Sequence, residues 1–156
     1  MLADLRRAVA LLTILPLRDA APAGRPYGRA MAYYSLIGAV IGGVLAGVTA
    51  LLEWVGLTAH VPLLTAALIL AAWAALTGGL HLDGWADCCD ALFVPVDRQR
   101  RLEIMKDPHL GGFGVLGLVL LLLVKLAALT WVIGSEHALL ALVAVPAVAR
   151  WAAVVA

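Results

Sequence analysis

Ala30–Leu52 reads AMAYYSLIGAVIGGVLAGVTALL, 23 consecutive residues without a Lys, Arg, Asp or Glu. A helix needs about 20 apolar residues to cross the hydrocarbon core of a bilayer, so this stretch is long enough on its own. It is not alone. Trp54–Leu82 is also free of charge and is broken only by Gly56 and Pro62. Two further apolar runs follow, near 112–133 and 138–156. The spacing predicts transmembrane helices at 30–53, 62–80, 112–133 and 138–156, with Pro62 suited to a first helical turn. Residues 1–29 form an N-terminal segment. In it Arg6 and Arg7 precede an apolar stretch too short to span, which predicts an interfacial helix. A signal peptide is the competing reading, but no cleavage pattern is visible and Arg18 and Arg25 follow closely. The fold class is therefore an all-α, polytopic integral membrane protein with about four spans in a single membrane domain.

Composition agrees. The 156 residues are 64 % hydrophobic and 13 % charged, against roughly 25 % charged in soluble domains. So few charges cannot cover a soluble surface without large apolar patches. A net charge of +1 offers no basic face to a phosphate backbone, so nucleic acid is excluded as a partner. The partner implied is the lipid bilayer.

The charges fall in two blocks. Asp4, Arg6, Arg7, Arg18, Asp19, Arg25 and Arg29 precede the first span. Ten more, from Asp83 to Asp107, lie between spans two and three. With two spans between them, both blocks share a side. The short connections near 56–61 and 134–137 carry no Lys or Arg, so the positive-inside rule makes the charged side the cytoplasm. Trp54 and Trp131 then mark the outer interface, and Tyr27, Tyr33 and Tyr34 the inner end of span one. Gly38/Gly42 and Gly43/Gly47 have G-x-x-x-G spacing, which suits close helix packing. Cys88 and Cys89 are neighbours, read as reduced thiols, since disulfide geometry is hard to meet across one peptide bond.

Residues 81–111 are expected to be a cytoplasmic loop carrying the chemistry. Asp83, Asp87 and Asp90 recur at i, i+4 and i+7, one face of a helix with no base among them. Mutual repulsion calls for compensation, and a hard cation such as Mg²⁺, which takes oxygen ligands and is often shared with a substrate phosphate, is the natural candidate. A solvated acidic face is the plain alternative. A zinc site using His81, Cys88 and Cys89 is weaker, because adjacent Cys cannot easily reach one ion. His81 otherwise reads as a hydrogen-bonding residue at the membrane edge. Val96–Lys106 reads as a short amphipathic helix stopped by Pro108. Gly111, Gly112 and Gly114 then open span three, where a glycine turn before a helix offers N–H groups to an anion and Lys106 a point charge. A simple glycine hinge is the alternative. Lys125 and Arg150 lie inside spans, where charge is costly and often functional, although Lys125 is near enough to the outer end to snorkel. His60, His109 and His137 are assigned no chemistry.

Two stretches, TGGLHLDGWADCCDA from Thr77 to Ala91 and LEIMKDPHLGGFG from Leu102 to Gly114, together resemble the cobalamin synthase (adenosylcobinamide-GDP ribazoletransferase) family. LLTILPL at Leu11–Leu17 and SLIGAVIGG at Ser35–Gly43 resemble it too. The resemblance implies transfer of a substituted phosphate group. In it α-ribazole or its 5'-phosphate attacks the pyrophosphate of adenosylcobinamide-GDP, GMP leaves, and the nucleotide loop of cobalamin is closed. It implies Mg²⁺ as cofactor, Asp83, Asp87 and Asp90 as metal-binding or catalytic residues, and Asp107 and Lys106 as members of a second motif beside Gly111 and Gly114. We take Asp107 as catalytic, and Lys106, Gly111, Gly114, His81 and Arg150 as the substrate-binding set. Pro108 stands where Ser is usual and Ala91 where Gly is common. The family's chains run on with further spans and another Gly/Asp-bearing motif, so the C-terminal part is expected to be lacking here. The implied location is a bacterial or archaeal cytoplasmic membrane, multi-pass, with the site facing the cytoplasm; a homo-oligomer is left open. A cation transporter or a non-catalytic membrane scaffold are the rival readings. Transport sites usually lie near the bilayer midplane on broken helices, and the acids here are expected at the cytoplasmic edge.

Overall fold

The computed structural model describes residues 2–16 and 28–155. Arg18, Asp19, Arg25 and Tyr27 lie outside them, as does Leu17. The elements described are all helical: α1 Leu2–Leu12, α2 Gly28–Met31, α3 Tyr34–Trp54, α4 Leu57–His60, α5 Pro62–Thr77, α6 Leu80–Leu92, α7 Arg98–Ile104, α8 Gly112–Val132 and α9 Ala138–Val155. Three helices, α3, α8 and α9, are long and apolar enough to cross a membrane, and α5 with α6 makes a fourth if that bent pair is one span. This is a multi-pass membrane architecture. Side chains such as Leu36, Val40, Val44, Leu116, Leu120 and Leu123 face outward, as lipid permits and water does not.

The interior is small. Ile37, Ile41 and Leu45 form one stripe of α3 and meet Ala66, Ile69 and Trp73 of α5, Leu129 and Ile133 at the end of α8, and Leu142 of α9. In lipid, apolar surface does not drive helices together, so close backbone approach has to. Of the two G-x-x-x-G pairs, only Gly38/Gly42 is used. A Cβ built on Gly38 would lie 2.8 Å from the Cα of Ala147, and one on Gly42 would lie 2.6 Å from the Cα of Val143. The register, Gly38 at Pro146–Ala147 and Gly42 at Leu142–Val143, makes α3 and α9 antiparallel. Gly43 and Gly47 face open space. Gly42→Leu is therefore expected to wedge α3 from α9. The destabilisation should reach at least the ~1–3 kcal/mol of an overpacked core, because backbone cannot yield as a side chain can. Thermal unfolding in detergent, with Gly43→Leu unchanged as the control, checks this.

A span is expected over 62–80, and its helix is interrupted near the end. α5 stops at Thr77, because Gly78 (φ 62°) and Gly79 (φ 69°) are both left-handed, a conformation glycine adopts without steric cost. The chain turns by 90° into α6. Ile14, in the segment after α1, donates its N–H to the Leu76 carbonyl at 3.0 Å and seals the end of α5.

Residues 81–111, expected as a cytoplasmic loop, carry most of α6 and all of α7. α6 lies antiparallel along the first two-thirds of α8. Trp85 Nε1 donates to the Gly117 carbonyl at 3.1 Å, and Cys89 fills the space a Cβ on Gly117 would need. The reason is compositional: Ala86, Cys89 and Ala91 are small and buried, so α6 can lie close against its neighbours. Trp54 and Trp131 stand largely exposed at the C-terminal ends of α3 and α8.

Candidate active site

α6 is a helix over Leu80–Leu92, so Asp83 and Asp87 sit one turn apart. Their carboxylates make no side-chain hydrogen bond or ion pair among the described residues. Both line a cavity of about 230 Å³, closed on the other side by Met105, Lys106, Asp107, Pro108, His109 and Leu110. The far wall is built locally. Asp97 caps α7, its Oδ1 accepting the Arg100 N–H at 2.8 Å. Arg100 pairs with Glu103 at 2.8 Å. The last turn closes with Lys106 N–H to Glu103 and Asp107 N–H to Ile104 carbonyls, both 3.0 Å. Pro108 then prevents any further helix.

Asp107 Oδ1 accepts from the His109 backbone N–H at 3.0 Å and pairs with His109 Nδ1 at 2.6 Å. These bonds hold the exposed Asp107 carboxyl below its ordinary range, so it stays a carboxylate across the physiological window. His109, to which the sequence assigns no role, is thus a member of the cavity wall. The signal that could have found it is the i, i+2 pairing around a proline in Asp107-Pro108-His109. Lys106 forms no ion pair among the described residues and leaves its ammonium available.

Asp90 does something else. Its Oδ2 accepts the Gly111 N–H and its Oδ1 the Gly114 N–H, both at 2.8 Å. The first N–H groups of a helix have no partner within it, and the positive end of the dipole favours a carboxylate there. Asp90 supplies that carboxylate from a neighbouring helix. A Cβ on either Gly111 or Gly114 would fall on the Asp90 carboxylate, which explains both glycines. Two expected roles meet in this geometry. The N–H groups of Gly111 and Gly114, expected to cradle a substrate anion, are taken by Asp90. Asp90, expected beside Asp83 and Asp87 at one ion, has both oxygens engaged. Among the described residues no three His, Cys, Asp or Glu side chains gather as a metal-holding group. The zinc set fails the same way, with Cys89 buried and both thiols free.

His81, also expected at the substrate, lies with different partners. His81 Nε2 is 3.4 Å from Lys125 Nζ, and His81 Nδ1 is 3.3 Å from Thr77 Oγ1. Lys125 does not snorkel outward; its ammonium sits 4.3 Å from the centre of the Trp73 ring. Arg150, also expected at the substrate, continues the face of α9 that carries the buried Leu142 and Pro146, one turn beyond Pro146. The expected site therefore divides in three: an acidic cavity with Lys106, a carboxylate clamp at the start of α8, and a cationic cluster at the other end of α6.

Fold and site define a multi-pass α-helical membrane protein with an acidic cavity roofed by a basic, proline-stopped loop. Residues 4–156 match the family model described as Cobalamin-5-phosphate synthase. The chain belongs to that family. It is 45 % identical over 145 residues to an adenosylcobinamide-GDP ribazoletransferase of Acinetobacter baumannii, covering 92 % of this chain and 56 % of the relative. Against the protein of the same name from Pseudomonas savastanoi pv. phaseolicola it is 44 % identical, covering 92 % and 57 %. Against that of Pseudomonas paraeruginosa it is 46 % identical over 130 residues, covering 82 % and 51 %. The chain thus spans little more than half the length of these curated relatives. No solved structure matches it.

Proposed function

We propose that the chain carries the reaction named for its relatives. α-Ribazole, or its 5'-phosphate, is joined to adenosylcobinamide-GDP with release of GMP, at the cavity of Asp83, Asp87, Lys106 and Asp107. The carrying observation is that two unpartnered carboxylates on α6 face an unpaired ammonium across one cavity. Family membership favours this over a cation transporter or a non-catalytic scaffold.

Asp83 and Asp87 suit Mg²⁺, which binds one or two carboxylates together with substrate phosphates and keeps several waters. That ion, when bound, neutralises pyrophosphate oxygens and the charge on the departing GMP. The chain's own residues do the rest. Lys106 sets a point charge against the pyrophosphate. Asp107, kept ionised by His109, balances the ammonium and fixes the loop. A hydroxyl of α-ribazole attacks the phosphorus bearing the cobinamide. The P–O bond to GMP breaks, and the hydroxyl proton passes to a cavity carboxylate. Positioning and charge carry catalysis of this kind. The basic residues before α3 and those of α7 with Lys106 support a cytoplasmic orientation of the cavity.

Membrane vesicles bearing the chain, given adenosylcobinamide-GDP, α-ribazole and Mg²⁺, are expected to form GMP together with a cobalamin product. GMP no higher than in vesicles without the chain rejects the reading.

A further inference from the structure

α7, Arg98–Ile104, is a helix of seven residues, none of them buried. Isolated helices shorter than about 12–15 residues are marginal in water, and those in proteins are held chiefly by packing of one face. The rest of the molecule gives α7 little such packing. Arg98, Arg101 and Leu102 recur at i, i+3 and i+4 and share a face. Arg100 and Glu103 lie on the opposite side and pair with each other at 2.8 Å. Every acid between Phe93 and Gly111 is engaged within the segment: Asp97 caps α7, Glu103 holds Arg100, and Asp107 holds His109. Arg98 and Arg101 make no ion pair among the described residues. The face they share with Leu102 therefore carries unbalanced positive charge.

The level of this segment against the bilayer follows from the carboxylate clamp. Asp90 ties the end of α6 to Gly111 and Gly114, and the rings of Phe93 and Phe113 meet with centroids 5.8 Å apart. α8 is long and apolar enough to cross a membrane and begins at Gly112, so this ring pair marks the plane where the span leaves the hydrocarbon. Both ends of α7 are tied to that plane, one through Val94–Asp97 and the other through Met105–Leu110. Leu92, Phe93 and Phe113 at the plane, and Leu102 on α7, are exposed.

We propose that the connection from Leu92 to Phe113 docks on the anionic headgroup surface of the bilayer. Leu92, Phe93, Leu102 and Phe113 enter the acyl boundary, and Arg98 and Arg101 meet lipid phosphates. Arg beside Leu or Phe is the composition of a helix lying in the plane of the interface. Charge favours this partner over a protein surface: a face with two unpaired cations and no free acid suits a leaflet whose charge is negative throughout. Continuity favours it too, since the exposed apolar rim starts where the lipid-facing surface of α8 ends. The same connection supplies the Met105–Leu110 wall of the acidic cavity, so the headgroups brace that wall from outside. The docking does not rest on the transferase reading, because it is measured without substrate.

The test follows amide hydrogen exchange across Arg98–Ile104 in the full chain, held in nanodiscs of phosphatidylcholine alone or mixed with phosphatidylglycerol. A basic residue near an anionic leaflet contributes about fivefold to binding, so the two arginines predict exchange slowed roughly tenfold or more by phosphatidylglycerol. High salt should restore it, because surface charge is then screened. The Arg98→Gln, Arg101→Gln double variant is expected to lose the response, with exchange across α8 unchanged as the mark of a kept fold. The Arg98→Lys, Arg101→Lys variant, which keeps both charges, is expected to retain it. Equal exchange in the two lipids, the result if α7 packs on a second copy or on a protein partner, overturns the proposal. So does a full response by the double Gln variant.

Discussion

Asp83→Asn is expected to abolish GMP formation while leaving the protein as stable as before. The change is nearly isosteric and removes one negative charge. Asp83 spends no oxygen on the fold, since its carboxylate has no side-chain partner among the described residues, so the folded state loses nothing. The reaction loses a fixed charge where charge develops. Removal of a single preorganised electrostatic group commonly costs about 10²–10³-fold in turnover, and loss of a proton-accepting group about 10²–10⁴-fold. Quantified GMP release beside a thermal unfolding curve decides it. Near-normal turnover would remove the acidic cavity from the mechanism.

Asp90→Ala is expected to fail differently, in stability first. Two charge-assisted hydrogen bonds disappear and two part-buried N–H groups at the start of α8 are left without acceptors. At about 1.5–3 kcal/mol for a bond to a charged group, the loss is a few kcal/mol, a large share of any domain's stability. Activity should fall as well, because Leu110 and the cavity wall lie directly before the clamped Gly111. Asp90→Asn keeps one acceptor oxygen and should recover some of the unfolding temperature. If Asp90 were instead a metal ligand, Asp90→Ala would behave like Asp83→Asn, inactive with an unchanged unfolding curve. The two variants side by side separate the roles that one shared spacing suggested.

That separation shows where sequence reading succeeds. The long apolar helices were legible because hydropathy and length act locally; α8 and α9 begin at Gly112 and Ala138. The helix carrying Asp83, Asp87 and Asp90 was legible from its period. Which way those acids turn was not, because Asp90 is captured by N–H groups 21 and 24 residues away, and nothing in i, i+4, i+7 spacing records a partner on another helix. The bend at Gly78–Gly79 had a visible cause in the paired glycines, yet the apolar run across it masked the break. Lys125 was visible as a charge in a span. Its inward turn toward His81 depends on α6 folding back along α8, a tertiary fact.

The antiparallel seating of α6 on α8 has a mechanical consequence. His81 meets Lys125 at one end, Trp85 meets Gly117 midway, and Asp90 meets Gly111 and Gly114 at the other end. Three rungs at successive heights make the pair a splint rather than a hinge. From His81 to Asp90 the splint runs about 14 Å at 1.5 Å per residue. A tilt large enough to break a single rung has to load the other two. The acidic cavity and the cationic cluster are bolted to the same strut, and neither can shift far without carrying the other.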